Sequence, residues 1–419
     1  MPKKERLDSR KRQLAKNTFF IYLLRACNYV FPLITVPYLT RVLGENGYGV
    51  YTWANSVNTY FRMFVDFGFV IYGVQAVALC KGDNEKIGKV LYSVTMVKAI
   101  ISALGLIVLV GLVLFNNKFN EHFLILLLFY SSTVLAIFNV DYIYQGIEKM
   151  QYITTRTILT KGIFTVLVFV FVHDKSDTIL IPIFTFVGDL VVAFVMIRGL
   201  IFREKIKPVK PIIKELFEII KKSNWFFLSR CFAAIYSTLN IIILGLISSA
   251  SDVAQFSLAY SLICMCTNCI NPIGDSIYPY MVGNKNIRLV KKLMIIFEPI
   301  IICGCIAAIF LSSPLITFVF GGEYTNAGTI FKIMLPIVCV ALPVTIFGYP
   351  VLSAYGYYVE ANLSIIIVGI LHAIGLVVLY STSNISIYSI AILTACSEVL
   401  VFVFRTTMVW RHGLLKEQV

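Results

Sequence analysis

The sequence predicts an all-α membrane protein with about twelve transmembrane helices arranged in two six-helix lobes. Of its 419 residues, 58% are hydrophobic and only 14% are charged, too few charges to cover the surface of a soluble protein this apolar. Apolar runs recur from Thr18 to Met408, many of them about 20 residues long, which is the length that spans a bilayer. Lysine and arginine concentrate in alternate connections between these runs, as expected of a polytopic membrane protein.

The spans are expected at residues 18–40, 49–79, 91–115, 121–146, 153–173, 178–202, 224–248, 252–280, 292–313, 327–354, 359–380 and 385–408. The segment Gly44–Gly49 is interpreted as a turn between the first two spans. The domains that follow are a basic amino-terminal segment (1–16), an amino-terminal lobe (17–202), a linker with an amphipathic helix (203–223), a carboxyl-terminal lobe (224–408) and a tail (409–419).

The distribution of basic residues predicts the orientation. They occupy the amino-terminal segment, the second, fourth, sixth and eighth connections, and the tail, with Arg156 counted in the fourth connection and Arg405 in the tail. Only Arg41, Lys118 and Lys175 lie in the opposite set of connections. Both termini are therefore expected in the cytoplasm. Since topology explains the net charge of +14, no nucleic-acid partner is expected.

The two halves of the chain resemble each other weakly. Asn17-Thr-Phe-Phe leads to Arg25, and Asn224-Trp-Phe-Phe leads to Arg230, about half the chain later. Six spans separate the partners, so both copies have the same orientation in the membrane. The pattern predicts a parallel internal repeat, an arrangement found in transporters.

Polar residues form stripes at helical spacing on the first, second and eighth spans, with a thinner stripe on the seventh. A charged residue at the centre of a bilayer costs about 2.5–3.5 kcal/mol, and such residues usually face a bundle interior or a wet cavity. We expect these stripes to line a hydrophilic cavity between the lobes. Interhelical hydrogen bonding in a closed bundle is the alternative.

The cations in these stripes suggest an anionic ligand. Arg25 and Arg230 occupy matching positions, and two guanidinium groups would suit a phosphate or diphosphate. Arg62 could join them, although Asp66, one turn away, could neutralise it. The predicted substrate contacts are Arg25, Arg62, Arg230, Asn28, Asn55, Asn58, Asn268 and Lys98. The candidates for ion coupling are Asp66, Asp141 and Asp275. Their alternative role is to form structural ion pairs, and the sequence does not favour either role.

Other kinds of chemistry lack support in the sequence. No Gly-x-x-x-x-Gly-Lys-Ser/Thr loop is present to bind ATP. Cys264, Cys266 and Cys269 resemble a metal site, but residues two apart on a helix point in different directions. We therefore predict no catalytic residue, cofactor or metal, and a protein that is not an enzyme.

Several motifs in the first 160 residues resemble the Wzx-type polysaccharide flippases. Pro37-Tyr-Leu-Thr-Arg-Val-Leu-Gly44, Gly47-Tyr-Gly-Val-Tyr51 and Val65-Asp-Phe-Gly68 look like the amino-terminal block of that family. Asn139-Val-Asp-Tyr-Ile-Tyr-Gln-Gly-Ile-Glu-Lys-Met150 resembles its motif after the fourth span, with Asp141 where the family usually has an aromatic residue.

The resemblance implies the fold of the multidrug/oligosaccharidyl-lipid/polysaccharide (MOP) exporters, which include the multidrug and toxic-compound extruders (MATE). It also implies an activity, the movement of undecaprenyl-pyrophosphate-linked oligosaccharide units across the bacterial cytoplasmic membrane by alternating access, for surface polysaccharide synthesis. The implied partners are that lipid-linked substrate, membrane lipids, and polymerase or assembly proteins. A MATE-like drug antiporter and a membrane enzyme or scaffold of polysaccharide assembly are the alternatives.

Overall fold

The computed structural model describes residues 3–80, 82–211, 217–224, 227, 231, 234 and 238–415. These ranges are mostly helical and contain no β-strand, which confirms the predicted all-α class. Ten helical stretches within them are long and apolar enough to cross a membrane. One of these, Lys16–Leu79, covers both the first and the second expected span, and the seventh expected span lies partly outside the described residues. The chain is thus a multi-pass membrane protein, and twelve spans are compatible with its structure.

The first eight helices run from the amino terminus to residue 202. They are α1 (Lys3–Asp66), α2 (Phe69–Leu79), α3 (Asn84–Phe115), α4 (Asn117–Glu121), α5 (Phe123–Leu135), α6 (Asp141–Gly146), α7 (Met150–Phe171) and α8 (Leu180–Phe202). Short 3₁₀ turns at Ala136–Phe138 and Lys175–Ile179 precede α6 and α8.

The chain turns at the beginning of the expected Gly44–Gly49 segment. Helix α1 consists of two helices that meet at Gly44, whose φ of 64° and ψ of −179° are not helical, whereas residues 45–49 are already helical. Glycine adopts a positive φ without the steric cost of a Cβ atom. A single residue thus makes the kink between the first two spans.

The first of two compact units contains residues Met1–Leu43 and Ala54–Cys231. Within it α7 packs on α8, α5 on α8, and α2 on α6. The linker also belongs to this unit, because the Val209 amide donates to the Gly88 carbonyl at 3.1 Å and the Asn84 side chain donates to the Glu204 carbonyl at 3.1 Å. Residues 217–224 are helical, whereas 212–216 of the expected amphipathic helix lie outside the described residues.

Close packing of α2 against α6 depends on two glycines. A Cβ atom at Gly73 would lie 2.6 Å from Tyr142 Cδ2, and one at Gly146 would lie 2.7 Å from Val77 Cβ. Tyr142 and the adjacent Ile143 are fully buried. The motif at 139–150 therefore builds part of the core of this unit.

The second unit contains residues Gly44–Trp53 and Phe232–Val419. Its helices are α9 (Leu239–Ile247), α10 (Ala250–Asn284), α11 (Ile287–Phe320), α12 (Thr325–Ile346), α13 (Tyr358–Ser381) and α14 (Ile387–Arg411). Helix α12 lies at its centre, in contact with α10, α11 and α14.

The segment Gly44–Trp53, part of α1, packs within this second unit. Glu45 accepts hydrogen bonds from Ser251 Oγ at 2.6 Å and Gln255 Nε2 at 3.3 Å, and its own amide donates to Glu323 at 3.1 Å. The Trp53 indole donates to the Ile242 carbonyl at 3.3 Å. Ten residues that begin at the Gly44 kink are thereby built into the carboxyl-terminal unit.

Helix α12 ends in a π-helical segment, Phe347–Ser353, that contains Pro350. Gly348 has a non-helical ψ of −105° there, so the regular backbone hydrogen-bonding pattern is interrupted. Arg405 of α14 fills the break, with its guanidinium donating to Val344 O at 2.7 Å and to Ser364 Oγ at 3.0 Å. Arg405 is 5% exposed, so its assignment to the tail was wrong.

Candidate functional site

Two ion pairs join helices inside the first unit. Arg62 Nη1 of α1 lies 3.2 Å from Asp189 Oδ2 of α8, and Lys98 Nζ of α3 lies 3.0 Å from Asp66 Oδ1 of α1. Lys98 is 1% exposed, so its ammonium group is desolvated together with its partner. In a span, such pairing avoids the cost of an isolated charge.

Hydroxyl and carbonyl groups form further hydrogen bonds in and beside these ion pairs. Ser132 Oγ of α5 donates to the carboxylate of Asp189, and Thr133 Oγ1 donates to Asn58 Oδ1 at 2.5 Å. Lys98 Nζ also donates to Ala136 O at 3.3 Å. Ala136 begins the 3₁₀ turn after α5, and this change of helix geometry presents its carbonyl to the lysine.

A third ion pair arises from the motif at 139–150. Asp141 Oδ2 accepts a hydrogen bond from Arg156 Nη1 of α7, and its backbone amide donates to Asn139 Oδ1 at 3.1 Å. The other carboxylate oxygen, Oδ1, is buried without a hydrogen-bond partner among the described residues. At the end of the motif, Lys149 pairs with Glu204 at 2.5 Å.

Beside these pairs lies a small cavity lined by Arg62, Arg156, Asp189 and Asn139 and by apolar side chains such as Val192 and Met196. Its volume is about 20 Å³. That is room for one or two water molecules and far too little for a sugar. In this conformation the cluster is a charge-paired network of three cations and three carboxylates.

The structure places the predicted substrate contacts in different settings. Arg25 and Asn55 of α1 are half-buried and Asn28 is exposed, whereas Asn58 is buried in its hydrogen bond with Thr133. Arg62 and Lys98 belong to the paired network described above. Arg230 lies outside the described residues.

The remaining candidates divide between the two units. Asn268 of α10, in the second unit, accepts a hydrogen bond from Asn271 Nδ2 at 3.3 Å, and Asp275 is exposed on the same helix. Asp66 and Asp141, in the first unit, are both ion-paired. The structure therefore brings Arg62, Lys98, Asp66 and Asp141 into one region of the first unit.

The role of Arg156 was not predicted from the sequence. It was counted in the fourth connection, but α7 begins at Met150 and places Arg156 within the helix, against Asp141. The unusual Asp141 in the motif was the available signal, because a carboxylate at membrane depth requires a partner. Arg156 therefore belongs to the candidate site.

The second unit contains a separate buried polar cluster around His372. Its ring nitrogens lie 2.8 Å from Ser397 Oγ and 2.9 Å from Asn240 Oδ1, and Asn240 Nδ2 donates to Thr394 Oγ1 at 2.9 Å. All four side chains are buried. Their hydrogen bonds join α9, α13 and α14.

No group of three or more metal-ligating side chains occurs in the ranges that the structure describes. Cys266 and Cys269 are exposed on α10, and Cys264 is half-buried. Among the described residues, these cysteines therefore do not form a cluster with the ligand set of a structural or catalytic metal centre.

Comparison with known proteins indicates the family of this chain. A family model described as "Polysaccharide biosynthesis protein" matches residues 14–285. A protein of Escherichia coli (strain K12) named "Putative O-antigen transporter" is 26% identical over 371 residues, covering 87% of this chain and 89% of its own length.

Two solved structures share the fold. One is the lipid II flippase MurJ in an inward closed conformation, with a TM-score of 0.72 and 14% identity over 94% of this chain and 87% of its own. The other is an inward-facing MATE multidrug transporter of the MOP superfamily, with a TM-score of 0.66 and 10% identity over 93% of this chain and 100% of its own. The resemblance drawn from the sequence motifs is confirmed, and the chain belongs to the polysaccharide biosynthesis protein family.

Proposed function

We propose that this protein is a flippase that moves undecaprenyl-pyrophosphate-linked oligosaccharide units from the inner to the outer leaflet of the bacterial cytoplasmic membrane. The observation that carries the proposal is the family match over residues 14–285, together with a relative named as an O-antigen transporter that aligns over most of the chain. A flippase for lipid II, which shares the fold, is consistent with a lipid-linked glycan as substrate.

The cations of the first unit suit the diphosphate of such a substrate. Arg25 is half-buried within the first expected span, where a charged side chain is costly unless it serves a purpose such as ligand binding. We assign Arg25 and Arg230 to the diphosphate, since guanidinium groups bind phosphate oxygens in bidentate fashion. Asn28, Asn55 and Asn268 are assigned to sugar hydroxyls.

Arg62 has a conditional role in this proposal. Its guanidinium is held by Asp189 in the present conformation, so a diphosphate would have to replace that carboxylate. Lys98 is buried in its ion pair with Asp66, and Asn58 is buried in its hydrogen bond with Thr133. Both side chains therefore favour a role in stabilising the network and not in contacting the substrate. Substrate binding would then rearrange the charge-paired network.

Coupling to an ion would use the same network. Asp66 and Asp141 are held by Lys98 and Arg156, and a carboxylate that loses its cation in a desolvated site gains affinity for a proton or a sodium ion. Asp275, exposed on α10, is the third candidate. We propose alternating access as the mechanism, with both termini in the cytoplasm and a polysaccharide polymerase as a functional partner.

A reconstituted assay tests the proposal. Purified protein in liposomes of neutral lipid receives an undecaprenyl-pyrophosphate-linked oligosaccharide in both leaflets, and membrane-impermeant periodate oxidises the outward-facing sugars. Protein-free liposomes should protect about half of the sugar, and an active flippase should expose almost all of it. Protection unchanged by the protein, with or without proton and sodium gradients, would reject the flippase assignment, and export of cationic dyes from the same liposomes would favour the drug antiporter.

A further inference from the structure

A second, larger cavity of the first unit lies between α7 and α8. Its volume is about 770 Å³, compared with about 20 Å³ for the small cavity beside Arg62 and Asp189. Its wall includes Gln151, Thr155 and Arg156 of α7, and Phe194 and Arg198 of α8, with Arg203 just beyond that helix. A volume in this range accommodates a ligand much larger than water.

The wall of this groove is cationic. It contains Arg198 and Arg203, together with Arg156, which is paired with Asp141, and none of the described residues that line it is a carboxylate. Arg198 and Arg203 are exposed and form no ion pair within the part of the chain that the structure describes. The neighbouring Glu204 is occupied by Lys149, at 2.5 Å, and does not neutralise them. The groove therefore attracts an anion.

The same wall has a strongly apolar side. Phe194 and Phe202 are 64% and 74% exposed, and the adjacent Val195 is 45% exposed, all on α8. Large apolar side chains this accessible in a membrane helix are suited to hydrocarbon chains. A small soluble anion would contact only the arginines. A lipid with an anionic head group would contact both the arginines and the apolar side of the groove.

The depth of the arginines fits the head-group layer. Arg156 lies six residues after Met150, where α7 begins, and Arg198 lies four residues before Phe202, where α8 ends. At 1.5 Å per residue, these positions are roughly 9 Å and 6 Å from the helix ends. The polar layer occupies about 5–7 Å on each side of the hydrocarbon core. The cations thus lie near the boundary between head groups and acyl chains.

We propose that this groove binds the anionic, phosphate-bearing head group of a membrane lipid, with an acyl or isoprenyl chain along Phe194 and Phe202. Guanidinium groups are well suited to phosphate, and basic pockets between membrane helices are a recurrent form of lipid site. The inference does not require the proposed substrate, because either a resident glycerophospholipid or the carrier lipid would supply this chemistry.

Arg156 connects the groove with the interior of the unit. Together with Val192 and Met196, it lines both the groove and the small cavity that contains Arg62 and Asp189. A phosphate in the groove would compete with Asp141 for the Arg156 guanidinium. Lipid occupancy is thereby linked to the charge-paired network.

Native mass spectrometry of the purified full chain in neutral detergent tests the proposal. The probes are phosphatidylglycerol, which is anionic, and phosphatidylcholine, whose phosphate is balanced by choline. The variant Arg198→Gln/Arg203→Gln removes two charges from the groove. The matched control, Lys291→Gln/Arg411→Gln, removes two exposed charges from α11 and α14 of the second unit.

We expect the wild type to prefer phosphatidylglycerol and the groove variant to bind it about ten-fold more weakly. The charge-preserving variant Arg198→Lys/Arg203→Lys should retain intermediate affinity, and the control should stay within two-fold of the wild type. Equal affinity of the wild type and the groove variant for phosphatidylglycerol would overturn the proposal. A loss of affinity in the control as large as in the groove variant would also overturn it.

A competition experiment identifies the source of the head group. Displacement of phosphatidylglycerol by undecaprenyl diphosphate, dependent on Arg198 and Arg203, would support the groove as a site for the carrier lipid. Binding of phosphatidylglycerol that undecaprenyl diphosphate does not displace would support a resident glycerophospholipid. Because the readout is binding, failure of the flippase assay would leave both outcomes interpretable.

Discussion

Arg62 Nη1 lies 3.2 Å from the carboxylate of Asp189, 127 residues along the chain, and Asp66, one turn away on the same helix, pairs instead with Lys98. The two pairs tie α1 to α3 and α8. The local pairing that helical spacing suggests is thus replaced by two tertiary ones.

Removing one partner of the Arg62–Asp189 pair should destabilise the protein more than removing both. The side chain of Asp189 is 10% exposed, so Arg62→Gln leaves a poorly solvated charge at a cost of up to about 3 kcal/mol. Thermal unfolding in detergent of R62Q, D189N and the double variant measures the coupling. Additive losses in the double variant would show that the two charges do not interact.

Lys98→Met should be more damaging than Arg62→Gln, because Lys98 is almost completely buried against Asp66. The expected loss is about 3–5 kcal/mol, and Asp66→Asn in the same chain should recover most of it. Surface polysaccharide in a deletion strain, measured at equal protein level, then separates two roles. Restored polymer in the double variant means support of the fold, and persistent loss means a direct part in transport.

Gly146→Ala should destabilise the first unit, since its new Cβ would meet Val77 Cβ at 2.7 Å in the contact of α2 with α6. Overpacking of this kind costs about 1–3 kcal/mol. The matched control is Gly111→Ala on α3, where no atom lies within 4 Å and the change should be neutral or stabilising by up to about 1 kcal/mol. Equal melting temperatures for the two variants would contradict this account of the motif.

Gln255→Leu should loosen the second unit. This side chain is 2% exposed, accepts from the Ala327 amide at 2.8 Å and donates to the Glu323 carbonyl at 2.7 Å. Each buried partner left without a hydrogen bond costs about 1–3 kcal/mol. Hydrogen exchange at residues 44–53 and 323–327 should increase, while the exposed Ser276→Ala on the same helix leaves it unchanged.

Periodicity and hydropathy were enough to predict the helical class and most span boundaries, because the apolar composition of each segment by itself indicates a membrane-spanning helix. Tertiary partners could not be obtained in this way. The choice of Asp189 for Arg62 depends on the packing of α8 on α5, and nothing local to residue 62 encodes it.

Two further features were beyond composition. Arg156 and Arg405 lie near the ends of their spans, where a cation ordinarily reports topology, and only the packing around Asp141 and Val344 reveals their internal role. The exact place of the kink in α1 was also hidden, since a glycine-rich stretch between two apolar runs predicts a turn without showing that Gly44 alone departs from helical geometry.

The inclusion of residues 44–53 in the second unit has a consequence for biosynthesis. Those ten residues leave the ribosome long before residue 232, so they have to wait for the rest of the second unit before they can pack in it. A fragment beginning at residue 232 would lack Glu45, the acceptor for Ser251 and Gln255, and Trp53, the donor to Ile242. Chain halves severed in the linker should therefore mature only when they are synthesised in the same cell.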